Sequence, residues 1–308
     1  MKPSIRTTAA ADGFRGYFYE SRESSDKCMV VIIGDDGDDL LDRAVARWLT
    51  EQAGCHALCV ALRQEKRGET GVDRWPLEIA GKAVRWAQER YGRVGLLGMS
   101  MQAALVLSAS ARVPVSLTAA LTPCDFVPWG FHQGKLGRDS HAEWPSGHSA
   151  FTWQGEELPF QSAMLEKDAY WQLFSQAKKE YGEMHSRAVF DYSEAHHPIG
   201  EECFIPVENI RGRIVLIGAE DDAMWQTARY IRRMEARLRE KNFPYPVDVL
   251  VYPFGTHFLV PDTLLRRAVP LVGGQIPRMF VSGRKNAAQC RQARQEVERR
   301  LLEILKIW

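Results

Sequence analysis

The sequence alternates short apolar runs with segments in which apolar residues recur at helical spacing, and this alternation constrains the fold more than any other feature. A continuous apolar run such as residues 28–33 is typical of a strand buried on both faces of a sheet. Parallel strands need crossover connections, which helices usually provide. The alternation therefore predicts an α/β protein with a doubly wound, mostly parallel sheet.

The predicted elements follow one another in the order that such a sheet requires. The predicted strands are an edge strand at residues 14–20 and core strands at 28–33, 56–62, 94–97, 115–121, 213–217 and 247–252. The predicted helices cover residues 38–53, 76–91, 101–111, 225–241 and 286–308. Strands, helices and turns thus account for most of the chain outside one long segment.

That segment covers residues 124–207, where the alternation stops and aromatic side chains are frequent. We interpret it as an insertion that caps the sheet. Its rings favour an apolar pocket for an acyl group, although aromatic residues in a cap form a small core of their own as often. Because no repeat and no Gly-, Ser- or Pro-rich linker divides the chain, we expect residues 1–308 to form one domain.

The charge composition gives no reason to expect a nucleic acid or an anionic membrane as a partner. Lys and Arg number 40 and Asp and Glu 39, which leaves a formal charge of +1. The N-terminus lacks the pattern of a secretory signal, and the apolar run at 28–33 is too short to cross a bilayer. We therefore expect a cytoplasmic protein, while the sequence gives no indication of its oligomeric state.

The 6 cysteines contain no C-x-x-C pair, and several lie in apolar runs, so we expect buried, reduced thiols. An acidic loop at residues 34–39 is more typical of a solvated turn than of a metal site. The sequence therefore predicts neither a cofactor nor a bound metal.

The most informative local pattern is an apolar strand that runs through Gly98 and Ser100 directly into a helix. In a nucleophile elbow, the serine occupies such a strained turn between a strand and a helix, with small residues beside it. Gly98 meets that need, whereas Gln102 stands where the usual second glycine would be. Alternatively, Ser100 only caps the N-terminus of the helix. The pattern makes Ser100 a candidate nucleophile.

Three consecutive acids, Glu220, Asp221 and Asp222, follow the predicted strand at 213–217. A carboxylate at the end of a strand can orient an imidazole and stabilise its protonated form. Alternatively, the three acids only interact favourably with the N-terminus of the next helix. The choice between these interpretations depends on a histidine later in the chain.

His257 lies in a glycine-containing loop after the last predicted strand. Of the other histidines, His56 opens a predicted strand, and the rest fall in the insertion: His132, His141, His148, His185, His196 and His197. Nucleophile, acid and base occur in the order Ser, Asp, His in α/β-hydrolases. We therefore predict a triad of Ser100, Asp222 and His257.

This triad predicts hydrolysis through an acyl-enzyme. His257 would take the proton of Ser100 as the serine attacks an acyl carbon, and water would later release the acyl group while Asp222 holds the imidazole. The N–H of Met101 and one N–H from the loop at 34–39 would bind the oxyanion, and within that loop we favour Asp36. The acids of the loop would oppose the developing anion unless they point outward or cap the next helix.

Further stretches carry a resemblance to a known family, at residues 76–78, 83–86, 95–100, 204–210, 218–225 and 252–257. There the sequence resembles the α/β-hydrolase domain that acyl-CoA thioesterases share with bile acid-CoA:amino acid N-acyltransferase, especially the stand-alone bacterial members. The resemblance implies that Ser100, Asp222 and His257 occupy the triad positions. Two departures are Gln102 and the lack, within these 308 residues, of the N-terminal β-sandwich of the animal enzymes.

The resemblance implies a small-molecule substrate, either an acyl ester or an acyl-CoA. The transferases of the family use cysteine as the nucleophile, so Ser100 favours hydrolysis over transfer. Arg63, Lys66 and Arg67 are the nearest candidates for binding the phosphates of coenzyme A, or they form an ordinary solvated loop. Two alternatives stay open: an acyltransferase, dienelactone-hydrolase-like or peptidase activity on the same triad, and a catalytically inactive binding module.

Overall fold

A computed structural model describes residues 2–64, 72–133, 143–268 and 273–308. The strands of these ranges are β1 (Ile5–Thr7), β2 (Gly16–Tyr19), β3 (Lys27–Ile32), β4 (His56–Val60), β5 (Trp75–Pro76), β6 (Arg93–Met99), β7 (Leu117–Leu121), β8 (Trp129–Gln133), β9 (Glu143–Ser149), β10 (Phe151–Trp153), β11 (Glu156–Glu157), β12 (Arg213–Ala219) and β13 (Val247–Tyr252). The α-helices are α1 (Ala9–Asp12), α2 (Leu40–Glu51), α3 (Leu77–Gln88), α4 (Met101–Ser110), α5 (Lys167–Tyr181), α6 (Arg187–His196), α7 (Thr227–Glu240), α8 (Asp262–Ala268), α9 (Val281–Lys285) and α10 (Ala287–Ile307).

The largest sheet in the described ranges has 8 strands in the order β1-β2-β4-β3-β6-β7-β12-β13. The strands from β4 to β13 in this order are parallel, whereas β1 and β2 pair in antiparallel fashion at one edge. One apolar core joins one face of the sheet to α3, α4 and α7, and a second core joins the other face to α2, α8 and α10. The predicted doubly wound α/β-hydrolase fold is therefore confirmed.

The centre of the sheet positions the predicted elbow. β6 pairs with β3 up to the contact between Gly98 and Ile32, and with β7 up to the contact between Met99 and Leu121. The N–H of Ser100 continues this ladder by donating to the Leu121 carbonyl oxygen over 2.9 Å. Since the carboxyl ends of parallel strands meet at one edge, Ser100 lies in the middle of that edge, where ligands bind in open α/β sheets.

The predicted core elements are all present, with ends shifted by a few residues. The predicted helix at 225–241 begins at Thr227 because the chain first makes a turn around Asp222. The sequence pattern did not predict β1, α8 or α9, which are too short for a periodic signal. All 6 cysteines are buried and free, as predicted. Within the described ranges no helix has both the length and the apolar character that a bilayer span requires.

The segment at 124–207 contains β8 to β11 with α5 and α6, and arginines on α7 bind several of its acids. Arg233 holds Asp125 through two hydrogen bonds of 2.6 and 2.7 Å and also contacts Glu194 on α6 at 3.1 Å. One helical turn later, Arg237 binds Glu201 of the segment at 2.6 Å, and it also binds Glu208, directly after the segment, through two hydrogen bonds of 2.7 Å. These contacts fix one side of the segment to α7, while its role as a cap stays a prediction.

We predict that Arg233→Gln lowers the free energy of unfolding by about 3 kcal/mol, because it leaves the Asp125 carboxylate buried without its partner. Asp125 is only 3% exposed. Arg239→Gln on the same helix is the matched control, since Arg239 is 77% exposed and pairs with Glu235 in water. It should cost less than about 0.5 kcal/mol. Equal losses for the two variants in urea unfolding would contradict the assignment.

Two acids of the loop at 34–39 and the following turn cap α2. Asp39 accepts hydrogen bonds from the N–H groups of Leu41 and Asp42, and the Asp42 carboxyl group accepts from the N–H of Asp39 in return. Asp42 is fully buried and also accepts from the N–H of Gly34 at 3.1 Å. Burial, together with the nearby Asp39 carboxylate, raises the pKa of Asp42 to about 8.

This raised pKa predicts that stability falls as the pH rises. The pKa of Asp42 is about 8 in the folded state, whereas an aspartate in the unfolded state has a pKa of about 3.9. Because the folded state then binds more protons than the unfolded state between these values, the free energy of unfolding decreases across this window. Urea midpoints measured at about pH 5 and about pH 8.5 should differ more for the native protein than for Asp42→Asn. The same difference in both would contradict the prediction.

Candidate active site

The turn between β6 and α4 holds Ser100 in an unusual backbone conformation, with φ of 62° and ψ of −129°. Such a positive φ is costly for a residue with a side chain and often marks a functional site. The first turn of α4 passes so close that a Cβ atom on Gly98 would lie 2.2 Å from the carbonyl oxygen of Gln102. The need for a small residue at position 98 is therefore confirmed.

The Ser100 side chain does not cap helix α4. Ser100 occupies the N-cap position of α4, but within the described chain its side chain accepts no hydrogen bond from the helix N-terminus. Its Oγ instead lies 2.9 Å from Nε2 of His257. These two residues are separated by more than 150 positions along the chain, and the carboxyl edge of the sheet brings them together.

His257 lies between Ser100 and a buried carboxylate. Its Nδ1 is 2.8 Å from Oδ2 of Asp222, and the two residues are 4% and 1% exposed. Asp222 also accepts hydrogen bonds from the N–H of Met224 at 2.8 Å and from the hydroxyl group of Thr227. In the tautomer with its ring proton on Nδ1, His257 donates to Asp222, and its Nε2 is free to accept from the Ser100 hydroxyl group.

Trp225 packs against the imidazole and was not predicted as a site residue. Its ring meets that of His257 edge to face, with centroids 5.3 Å apart and planes at 85°. The indole N–H donates to the carbonyl oxygen of Thr122 at 3.1 Å, which fixes the ring at the end of β7. The resemblance contained Trp225, but nothing in the sequence placed it on the histidine.

Aromatic residues of the 124–207 segment reach the site through this tryptophan. Phe190 of α6 packs edge to face on Trp225 with centroids 5.2 Å apart, and Trp129 stacks on Phe190 at 4.6 Å. All three rings are buried. They therefore form part of an aromatic core behind His257, which is the alternative that the sequence left open for this insertion.

Asp221, next to the candidate acid, was predicted only as one of three charges near a helix end. Its Oδ1 accepts hydrogen bonds of 2.9 Å from the N–H groups of both Gly255 and Thr256, directly before His257. No spacing in the sequence indicates this contact, because it joins a carboxylate to backbone groups. Sequence reasoning therefore missed the second acid that binds the histidine loop.

The two predicted oxyanion donors follow neighbouring strands, Met101 after β6 and Asp36 after β3. Met101 is the first residue of α4, directly after Ser100. The Asp36 carboxylate binds Arg15 at 3.2 Å and Arg63 at 3.5 Å, both on the side of β2 and β4. Its side chain thus points outward, which is one of the two arrangements in which an acid of this loop would not oppose the developing oxyanion. The roles of the Met101 and Asp36 N–H groups stay predictions.

Of the three candidates for the phosphates of coenzyme A, only Arg63 lies within the described residues. The guanidinium group of Arg63 is paired with Asp36. The backbone N–H of Arg63 donates to the carbonyl oxygen of Asp35 at 2.9 Å. Lys66 and Arg67 lie outside the described residues. A phosphate at Arg63 would have to compete with the Asp36 carboxylate for this side chain.

We predict that Ser100→Gly is more stable than Ser100→Ala by about 1 kcal/mol, because glycine adopts a positive φ without steric cost. Both variants lack the hydroxyl group, so the difference isolates the backbone strain. At Ser108, inside α4, the order should reverse because glycine weakens a helix interior. Thermal or urea unfolding of the four variants measures this. A Ser100→Ala variant as stable as Ser100→Gly would show that the turn is unstrained.

Comparisons with known proteins identify the family of this chain. Residues 82–264 match the sequence model of the family described as BAAT / acyl-CoA thioester hydrolase C terminal. A search of curated protein sequences finds no match.

Solved structures share the fold at low identity. An esterase of Pyrococcus furiosus has a TM-score of 0.52 at 14% identity, covering 100% of this chain and 98% of that chain. A Klebsiella pneumoniae protein described as a dienelactone hydrolase has a TM-score of 0.52 at 12% identity, covering 99% and 98%. At such identities the similarity shows a common fold.

The family match is more specific, since it spans more than half of the chain and includes Ser100, Asp222 and His257. It confirms the resemblance inferred from the sequence. This chain therefore belongs to the α/β-hydrolase family of the BAAT and acyl-CoA thioester hydrolase C-terminal domain.

Proposed function

We propose that this protein is a serine-dependent acyl hydrolase that cleaves a small-molecule ester or thioester through an acyl-enzyme on Ser100. One observation carries the proposal: a continuous chain of hydrogen bonds runs from Ser100 Oγ to His257 at 2.9 Å and on to Asp222 at 2.8 Å. Nucleophile, base and a group that orients the base are arranged in this way in serine hydrolases on several unrelated folds.

The reaction begins when Ser100 Oγ attacks the acyl carbon and His257 Nε2 takes the hydroxyl proton. The imidazolium formed is stabilised by Asp222, which also accepts hydrogen bonds from Met224 and Thr227. The oxyanion is held by backbone N–H groups, for which Met101 and Asp36 are the proposed donors. As the tetrahedral intermediate collapses, His257 gives its proton to the leaving alcohol or thiol.

The second half of the reaction repeats these roles with water. His257 takes a proton from a water molecule, the resulting hydroxide attacks the acyl-enzyme, and the proton passes to Ser100 Oγ as the acid leaves. Each turnover thus consumes one water and restores the starting protonation of the triad. Membership of a thioester hydrolase family supports an acyl-CoA as well as a simple ester as substrate. A cytoplasmic location stays a prediction.

Two alternatives compete with the hydrolysis of an ester or thioester: another reaction on the same triad, and binding without catalysis. Acyl transfer needs an acceptor that outcompetes water, and dienelactone-hydrolase-like or peptidase chemistry would use the same triad on another carbonyl. A binding module without catalysis is less well supported, because such a module has no need of a strained serine that contacts a buried His–Asp pair. We therefore favour hydrolysis.

We predict that a fluorophosphonate probe labels Ser100 of the native protein and not Ser100→Ala. In His257→Ala the labelling rate should fall by about 10³-fold or more, because the base is lost. His148→Ala is the matched control, since His148 is an exposed histidine paired with Glu157, and it should be labelled like the native protein. A folded native protein that fails to react would refute the hydrolase mechanism and favour the binding module.

Matched substrates then distinguish the activities. Butyryl-CoA and p-nitrophenyl butyrate carry the same acyl group on a thiol and on a phenol, so the ratio of their kcat/KM values separates a thioesterase from a carboxylesterase. Adding an amine acceptor tests for transfer, which would form an amide in place of the free acid.

A further inference from the structure

Two consecutive aspartates bind the His257 loop in different ways. Asp222 binds the imidazole ring, whereas Asp221 binds the backbone directly before it. The N–H groups of Gly255 and Thr256 both converge on Oδ1 of Asp221 at 2.9 Å, and its Oδ2 accepts from the hydroxyl group of Ser282. Among the residues that the structure describes, the donors to this half-buried carboxylate all belong to the loop and to α9.

The loop needs such a partner because of its conformation. Thr256 has a φ of 59°, which a β-branched residue rarely adopts. Two successive N–H groups that point to the same side form a small concave site for an anion, and the Asp221 carboxylate fills it. On the other side Gly255 is packed so closely that a Cβ atom there would lie 2.8 Å from Leu259 and 3.1 Å from Ala219. The loop is thus held from both sides.

We propose that Asp221 is a positioning residue, which holds the loop so that Nε2 of His257 stays within hydrogen-bond distance of Ser100. The inference rests on the proposed function, since it assigns a task to the histidine of that triad. Asp221 acts through the Gly255 and Thr256 backbone and touches no reacting atom. A displacement of the imidazole by about 1 Å is enough to lower the rate strongly.

Ser282 extends this contact to the 124–207 segment. It belongs to α9, and the N–H of its neighbour Val281 donates to the carboxylate of Glu183. Asn286 also donates to Ser282 Oγ, at 3.3 Å. The position of α9 therefore affects the Asp221 carboxylate directly, and the 124–207 segment contacts the histidine loop through α9.

The test combines two readouts in the full-length protein. Hydrogen exchange of the peptide at 253–258 reports whether the loop is held, and the second-order rate constant for fluorophosphonate labelling reports whether His257 is placed. Asp221→Ala should raise the exchange and slow the labelling about 10- to 100-fold. Asp221→Asn keeps an acceptor oxygen at Oδ1 and should recover most of both values. Glu220→Ala removes the exposed neighbouring acid and should behave like the native protein.

Ser282→Ala is a milder variant, which leaves both backbone hydrogen bonds in place. It should slow the labelling about three- to tenfold and raise the exchange less than Asp221→Ala does. If Asp221→Ala does not fold, this variant decides the question.

The positioning role would be overturned if folded Asp221→Ala were labelled at the rate of the native protein. If Asp221→Ala is unfolded, the same result for Ser282→Ala would overturn it. Unchanged exchange at 253–258 would overturn it as well, whatever the activity. A native protein that does not react at all would instead refute the proposed function. The exchange of the loop in native protein and Asp221→Ala would still report whether Asp221 holds the loop, which separates the two failures.

Discussion

The backbone of Ser100 is the constraint on which the rest of the site depends. A strand that turns into a helix without any intervening loop must place one residue at a positive φ, and the helix must then pass over the end of the strand. This close passage leaves no space for a side chain at Gly98. The result is a hydroxyl group that projects from the middle of the sheet edge, where the later strands can bring a base to it.

Buried carboxylates set the second constraint, because a buried charge must be compensated or neutralised. The structure uses three different solutions. Asp125 is paired with Arg233, Asp42 keeps its proton up to about pH 8, and Asp222 accepts hydrogen bonds from His257 and two other donors. Of these three carboxyl groups, Asp222 is the one that is hydrogen-bonded to an imidazole, and the same imidazole contacts the strained serine.

The sheet, and the meeting of Ser100, Asp222 and His257 at its edge, could be predicted because they depend on patterns along the chain. Apolar runs and their order define a parallel sheet, and the position of a residue directly after a strand defines which edge it occupies. Gly98, Ser100 and His257 could be found in this way. Three such positions in the expected order were more informative than any single motif.

Contacts between distant backbone and side-chain groups were not predictable in the same way. Asp221 binds N–H groups that carry no residue identity, and Trp225 meets His257 only because β12 and β13 are neighbours. The 124–207 segment was unpredicted in detail since its strands are short and its helices are anchored partly by ion pairs with α7. The periodic spacing of apolar residues predicts elements that pack against a sheet, whereas the strands and helices of this segment depend on other interactions.

Detection of the acyl-enzyme is the most direct test of catalysis through Ser100. Rapid mixing with p-nitrophenyl butyrate, an acid quench and intact-protein mass spectrometry would detect it, and peptide mapping would locate the acyl group. Catalysis through Ser100 predicts a burst of p-nitrophenol and one butyryl group on the peptide that contains Ser100, both absent from Ser100→Ala. Turnover at the native rate by Ser100→Ala, without an acylated peptide in either protein, would contradict it.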